Sequence, residues 1–150
     1  KKYTVDNTGE VIADTATIAA RDAEREHDLC LDVAEGRLKI SSENLYKIMQ
    51  ELLANAFKFS EKDTKVDIRS FIEDSVYTIR ISDQGRGMLA NQIESIGAYN
   101  QFRRDVYEQQ GVGLGLVISK MLTELHDGVF SIESEPGKHT IITVALPLAG

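Results

Sequence analysis

Leu45, Ile48, Met49, Leu52, Leu53, Ala56 and Phe57 recur at helical spacing over one uninterrupted stretch, with Ser41 or Ser42 placed to cap its start. A helix with so broad an apolar face has to be covered, and the covering layer follows directly in the chain. Thr64 to Ile72 and Ser75 to Ser82 are rich in β-branched and aromatic residues and flank Glu73 and Asp74, which predicts two antiparallel strands. Val129 to Glu135 and Thr140 to Leu146, separated by Pro136 and Gly137, predict a closing hairpin. Between these strand pairs, Leu114, Val117, Ile118, Met121, Leu122 and Leu125 define another amphipathic helix, ended by Asp127 and Gly128. Strands and helices come in groups, without the strict alternation of a parallel sheet. The expected class is α+β: a two-layer sandwich whose mixed, mostly antiparallel sheet carries about three helices on one face.

The third helix is predicted over residues 10 to 27, where helix formers surround a thin apolar stripe that calls for an upstream neighbour. Leu29, Leu31 and Val33 alternate, Glu35 and Gly36 offer a turn, and Leu38 and Ile40 alternate again, predicting a short hairpin. A length of 150 residues suits one domain with a substantial core, structured from about 10 to 147. The net charge of -7 provides no field to attract nucleic acid or anionic lipid, so a bound phosphate must be held by local donors. A single cysteine, Cys30, excludes an intrachain disulfide and a cysteine-cluster metal site, and reads as a small core residue of a reducing compartment. No apolar run reaches membrane-spanning length, so a cytoplasmic location is expected, and the start at Lys1 suggests a domain excised from a longer chain.

Three segments carry chemistry. On the helix from 42 to 59, Glu51, Asn55 and Lys58 share one line, expected opposite the apolar face. Such a line is most often a solvated surface, but Asn55 is a poor helix former and a good neutral oxygen ligand for Mg²⁺, and Lys58 can neutralise phosphate. Asp83 stands at a strand exit before Gly85, Arg86, Gly87 and Met88. That is either an ordinary turn or an acceptor for an exocyclic amine, with glycines that let backbone approach a flat ring. Gly111, Gly113, Leu114 and Gly115 open a helix whose free amides suit a phosphate. No Lys-Ser or Lys-Thr follows, so the run is not a P-loop.

Together, in this order and at these separations, the segments resemble the nucleotide-binding boxes of the gyrase, heat-shock-chaperone, histidine-kinase and mismatch-repair ATPases, which share the Bergerat fold. Glu51 to Ser60 is similar to the N box, Asp83 to Gly87 to the first glycine box, and Gly111 to Leu116 to the second. Tyr99 to Arg104 resembles the aromatic box of histidine kinases, and Ser134 to Thr140 with Leu146 and Pro147 resembles their closing hairpin. The resemblance implies that Asn55 ligates Mg²⁺, Asp83 reads adenine, and Gly85 and Gly87 shape the base pocket. It implies that Gly111, Gly113 and Gly115 bound a mobile lid over about 97–113, which begins at Gly97, and that Thr140 supports a water network beside the base. Lys58, and Arg103 or Arg104 from the lid, are then expected at the phosphates. Two positions depart from the pattern: Tyr99 replaces phenylalanine, and His139 replaces the glycine before Thr140.

The resemblance thus implies a protein histidine kinase domain that binds ATP and Mg²⁺ and transfers the γ-phosphoryl group in two-component signalling. Transfer of this kind rests on positioning and charge neutralisation. A neutral imidazole already has a nucleophilic lone pair, so Glu51 is expected to serve residual hydrolysis or orientation of the acceptor rather than an obligatory base. None of His27, His126 and His139 resembles the acceptor, so it is expected on a separate, upstream dimerisation domain, the principal partner, with a response regulator engaged indirectly. The domain alone is expected to be monomeric, with no nucleic-acid or membrane contact. Two alternatives are an anti-sigma-factor-like serine kinase and a nucleotide-responsive module with little catalysis.

Overall fold

The computed structural model describes residues 3–85, 87, 93 and 114–150. Its elements are α1 (Thr8–Asp22), β1 (Leu29–Asp32), α2 (Ser42–Phe59), β2 (Val66–Glu73), β3 (Val76–Asp83), α3 (Leu114–Leu125), β4 (Val129–Glu135) and β5 (His139–Pro147). The five strands form one sheet in the order β1-β2-β3-β5-β4, parallel between β1 and β2 and antiparallel elsewhere. The α+β class expected from the sequence is the one observed. None of the helices among the described residues is long and apolar enough to cross a membrane.

α2 begins where Ser41 Oγ accepts the Asn44 amide at 3.1 Å, and it buries all seven apolar residues of the expected face. It packs between α1 and α3. Successive strand residues point to opposite faces, so Val66 and Ile68, Tyr77, Ile79 and Ile81, and Ile142, Val144 and Leu146 all enter the core from one side of the sheet. Each large side chain buried this completely contributes about 1.5–3 kcal/mol of transfer free energy.

Three expectations about element boundaries and strand pairing are corrected. α1 ends at Asp22 rather than running to 27: Glu24 adopts a φ of 57°, its amide bonds the Arg21 carbonyl, and the Arg25 amide reaches the Ala20 carbonyl at 2.7 Å. This is a Schellman ending, and it turns Arg25 inward. The expected hairpin of residues 29 to 40 does not form. β1 pairs with β2 in parallel, whereas Leu38 bridges Val5 and Leu148. The intervening Glu35 is drawn away to the start of α1, where its carboxylate accepts the Gly9 and Glu10 amides at 2.8 and 3.0 Å, and Gly36 packs against the Tyr77 ring. The β2–β3 turn also falls one residue later than expected, with Asp74 and Ser75 both at positive φ, as a two-residue hairpin turn requires.

On α3 the expected apolar stripe is only partly buried. Met121 and Leu125 are 56% and 70% exposed, while Ser119 and Thr123 are fully buried. Their hydroxyls bond the carbonyls of Gly115 and Ser119 at 2.9 and 2.7 Å, so neither brings an unsatisfied donor into the core. Cys30, expected in the core, is half-buried on the edge strand β1.

Candidate functional site

The site is built where β3 ends and β5 begins, beneath α2. Asp83 closes β3 on the core side of the sheet, in register with Val66 of β2 and Thr140 of β5, and is only 6% exposed. Burial pushes its carboxyl up to about 6, against the Gly85 amide that donates to Oδ1 at 2.9 Å and the charges of Arg25 and His139. A buried carboxylate that accepts one amide and has no ion pair among the described residues retains acceptor capacity for a ligand's N–H groups.

Two glycines follow for steric reasons. A Cβ on Gly85 would lie 2.5 Å from the Phe59 carbonyl oxygen and 2.6 Å from Asp83 Oδ1. Gly87 has a φ of +70°, and a Cβ there would collide with the Glu135 carbonyl. The turn after β3 is thereby pressed between the end of α2 and the β4–β5 hairpin. In that hairpin Thr140 is buried, its Oγ1 3.0 Å from Ser134 Oγ, which donates to the His139 carbonyl at 2.9 Å. His139 at the usual glycine position does not disturb this arrangement: its φ is not positive, the turn is made by Gly137 at +80°, and Thr140 stays in register with Ser134.

On α2 the expected polar line divides. Glu51 and Asn55 are half-buried on the flank of the helix, not opposite its apolar face, whereas Lys58 is exposed. Glu51 Oε1 accepts from Lys47 Nζ at 3.2 Å, and a Cβ on Gly115 would sit 2.8 Å from its Oε2, so the carboxylate lies against the first turn of α3. The Asn55 amide has no partner among the described residues. Lys58 stacks on the Phe59 ring at 5.2 Å and borders the groove between α1 and α2, beside Ala19 and Ala54. The structure therefore brings Glu51 to Gly115 and Asp83 to Gly85 and Thr140, and it leaves Lys58 apart from them, on the groove between α1 and α2. Leu114, at the start of α3, is half-buried. Arg86, Met88, Tyr99, Phe102, Arg103, Arg104, Gly97, Gly111 and Gly113, with the lid expected over 97–113, lie outside the described residues.

Two histidines, His27 and His126, are engaged elsewhere. His27 Nε2 is 2.8 Å from Asp63 and 3.3 Å from Asp28, and His126 Nδ1 meets the Leu122 carbonyl at 2.8 Å at the end of α3. Sequence reasoning missed Arg25, which is 4% exposed and bonds the end of α2. Set between two glutamates, it gives no signal by pattern that it is buried.

Residues 40–150 match the family described as histidine kinase-, DNA gyrase B-, and HSP90-like ATPase. Over 114 residues the chain is 32% identical to a sensor-like histidine kinase of Rhizobium meliloti, covering 75% of this chain and 22% of that protein. Over 126 residues it is 32% identical to the circadian input-output histidine kinase CikA of Synechocystis, covering 81% and 16%. The sensor histidine kinase RppB of the same organism is 30% identical over 125 residues, covering 81% and 28%. The chain thus spans well under a third of these relatives' length. Among solved structures, a mycobacterial sensor histidine kinase MprB superposes with a TM-score of 0.78 at 24% identity, covering 99% of this chain and 98% of that one. The nucleotide-free catalytic domain of histidine kinase ThkA gives 0.77 at 16%, covering 99% and 96%. Both likenesses show the fold.

Proposed function

Because the chain belongs to the histidine kinase-, DNA gyrase B- and HSP90-like ATPase family, we propose that it binds Mg²⁺-ATP and donates the γ-phosphoryl group to a histidine on a separate dimerisation domain. The observation that carries this reading is Asp83: a buried carboxylate at a strand exit, flanked by two glycines that a Cβ would block. Its free acceptor capacity suits the 6-amino group of adenine, and Thr140 stands beside it to support water at the base. Asn55 fits a hard cation, since its half-buried amide oxygen is a neutral ligand with no partner among the described residues. Mg²⁺ held there would neutralise charge on the phosphates.

The chain's own residues then position and shield. Leu114 and Gly115 lie in the first described turn of α3, and the amides at the start of a helix suit a phosphate oxygen. Gly111 and Gly113 bound a lid over about 97–113 in this proposal, and Arg103 or Arg104 brings a second positive charge. Lys58 contributes only by reaching across from the outer side of α2, where its exposed ammonium on a flexible stem can swing toward anionic oxygens. Glu51, against Gly115, orients the acceptor or a hydrolytic water. The whole of 1–150 acts as one catalytic domain in the cytoplasm, itself monomeric, and meets its response regulator only through the phosphorylated partner. His27 and His126 are engaged away from this site, and His139 belongs to the hairpin beside Asp83 and Thr140, which supports an acceptor supplied by another domain, upstream in the full-length protein.

The test mixes this chain with a dimerisation domain carrying its cognate histidine and γ-labelled ATP. Acid-labile, base-stable label on that domain, lost when Asp83 or Asn55 is replaced, supports the proposal. Normal ATP binding with no transfer to any cognate acceptor would leave a nucleotide-responsive module instead.

A further inference from the structure

Arg25 lies outside every nucleotide-binding segment, yet its guanidinium is buried and every one of its nitrogens is engaged. Nε donates to Asp28 Oδ2 at 2.7 Å. Nη1 donates to the Phe57 and Ser60 carbonyls, both at 3.0 Å, and to Ser60 Oγ at 2.9 Å. Nη2 donates to the Glu61 and Thr64 carbonyls at 2.7 and 3.1 Å, with Thr64 Oγ1 at 3.4 Å. The plane also packs over the Phe57 ring at 5.2 Å. One side chain thereby caps the last turn of α2 and holds the connection that leads from it into β2. Asp28 ties the same connection a second time, because its Oδ2 also accepts the Asp63 amide at 3.0 Å.

That connection sets a distance that matters. Its first end is α2, which carries Asn55 and Lys58, and its second end is Val66, the register partner of Asp83. Between them the Phe59 carbonyl is the surface against which Gly85 packs. We propose that Arg25 is a positioning residue of the nucleotide site, clamping the α2–β2 connection so that the metal and phosphate half on α2 keeps one spacing from the base half on β3. This rests on the nucleotide-binding reading above. The guanidinium charge also draws the Asp83 carboxyl down against the burial that raises it, so the clamp is electrostatically continuous with the base half. Lysine cannot replace it: three donors on a flexible stem do not span this set of acceptors, whereas a planar fork with five does.

A spacing role predicts a signature that loss of stability does not. Adenosine engages only the base half, whereas a Mg²⁺-bound, unhydrolysable ATP analogue engages both. In Arg25→Lys, at a temperature where circular dichroism shows the chain folded, adenosine affinity followed by NMR titration stays within about twofold. The affinity for the Mg²⁺-analogue falls about tenfold or more, and its enhancement by Mg²⁺ is lost, as expected when reacting groups shift by a fraction of an ångström. A folded Arg25→Lys with an unchanged ratio of the two affinities overturns the proposal. If Arg25→Lys does not fold, Ser60→Ala and Thr64→Val remove single acceptors from the same clamp. A drop in the ratio of about twofold or more then supports the proposal, and an unchanged ratio overturns it. Failure of the unsubstituted chain to bind either ligand removes the nucleotide reading itself, and this inference with it. Binding of both ligands by the parent chain, with no change of ratio in the variants, removes the inference alone.

Discussion

Asp83 and Thr140 are Cα partners in the β3–β5 ladder, and both are buried on the face of the sheet that also carries Ile81 and Ile142. Two polar groups thus occupy positions that the strand period assigns to the core, at the point where the apolar rows of both strands stop. In Asp83→Asn an amide of the same shape loses the negative acceptor but also the cost of burying charge. We expect nucleotide affinity to fall at least a hundredfold, with thermal stability unchanged or raised, measured by calorimetric titration beside thermal denaturation. Retained affinity would exclude Asp83 as the base-reading residue.

The raised carboxyl of Asp83 has a definite sign in pH. Its folded value of about 6 lies above the 3.8 of an unperturbed group, so its stabilising contribution is complete below about pH 4 and is lost as pH rises through 6. The unliganded chain should lose about 1–2 kcal/mol across that window, allowing for partial solvent screening. Asp83→Asn should remove that loss. Burial raises Asp28, but the hydrogen bonds from Arg25 and Asp63 together with the charges of His27 and Arg25 more than offset it, so its carboxyl is lowered and acts below about pH 4, outside the window. Nucleotide affinity should move the opposite way and rise with ionisation of Asp83. Chemical denaturation at several pH values, beside titrations at the same values, measures both trends.

Gly87 and Gly137 share a positive φ but differ in their surroundings. Nothing lies within 4 Å of a Cβ on Gly137, whereas one on Gly87 meets the Glu135 carbonyl. Gly137→Ala should therefore cost about 1 kcal/mol from backbone strain alone, and Gly87→Ala about 2 kcal/mol or more together with weakened nucleotide binding. Equal effects of the two on stability and binding would show that the close approach at Gly87 is unimportant.

Tyr77 Oη lies 2.7 Å from Ser70 Oγ and donates to the Ala34 carbonyl at 2.6 Å, tying the loop after β1 to the sheet. Tyr77→Phe should lower stability by about 1–2 kcal/mol while leaving nucleotide affinity unchanged, since the ring remains and the site is remote. Urea denaturation and calorimetric titration of the same sample check both halves.

Glu51→Gln distinguishes a chemical role from a packing one, because the amide can still lie against Gly115. If the carboxylate orients acceptor or water, hydrolysis or transfer should fall about tenfold or more with affinity unchanged. Unchanged rates of both would assign Glu51 to packing and its pair with Lys47 alone.

The sequence by itself determined the elements whose patterns are local and strong. The apolar face of α2, the β2–β3 and β4–β5 hairpins and the stop of α3 are all legible from side-chain period and turn residues within a dozen positions. The candidate boxes were legible as well, because glycine, Asp83 and Asn55 are each unusual for the element they occupy. Only the tertiary structure decided the rest. β1 joins β2 in parallel, a partner more than thirty residues away, and no local pattern distinguishes that pairing from the hairpin expected with Leu38 and Ile40. Ser119 and Thr123 enter the core because their hydroxyls bond carbonyls one turn back, which makes polar residues acceptable inside. Arg25 is buried because six backbone and side-chain acceptors from residues 57 to 64 converge on it, and that convergence exists only once α2 and β2 are in place. Local propensity is a property of neighbouring residues, whereas the burial of a charge is decided by what the rest of the chain brings to meet it.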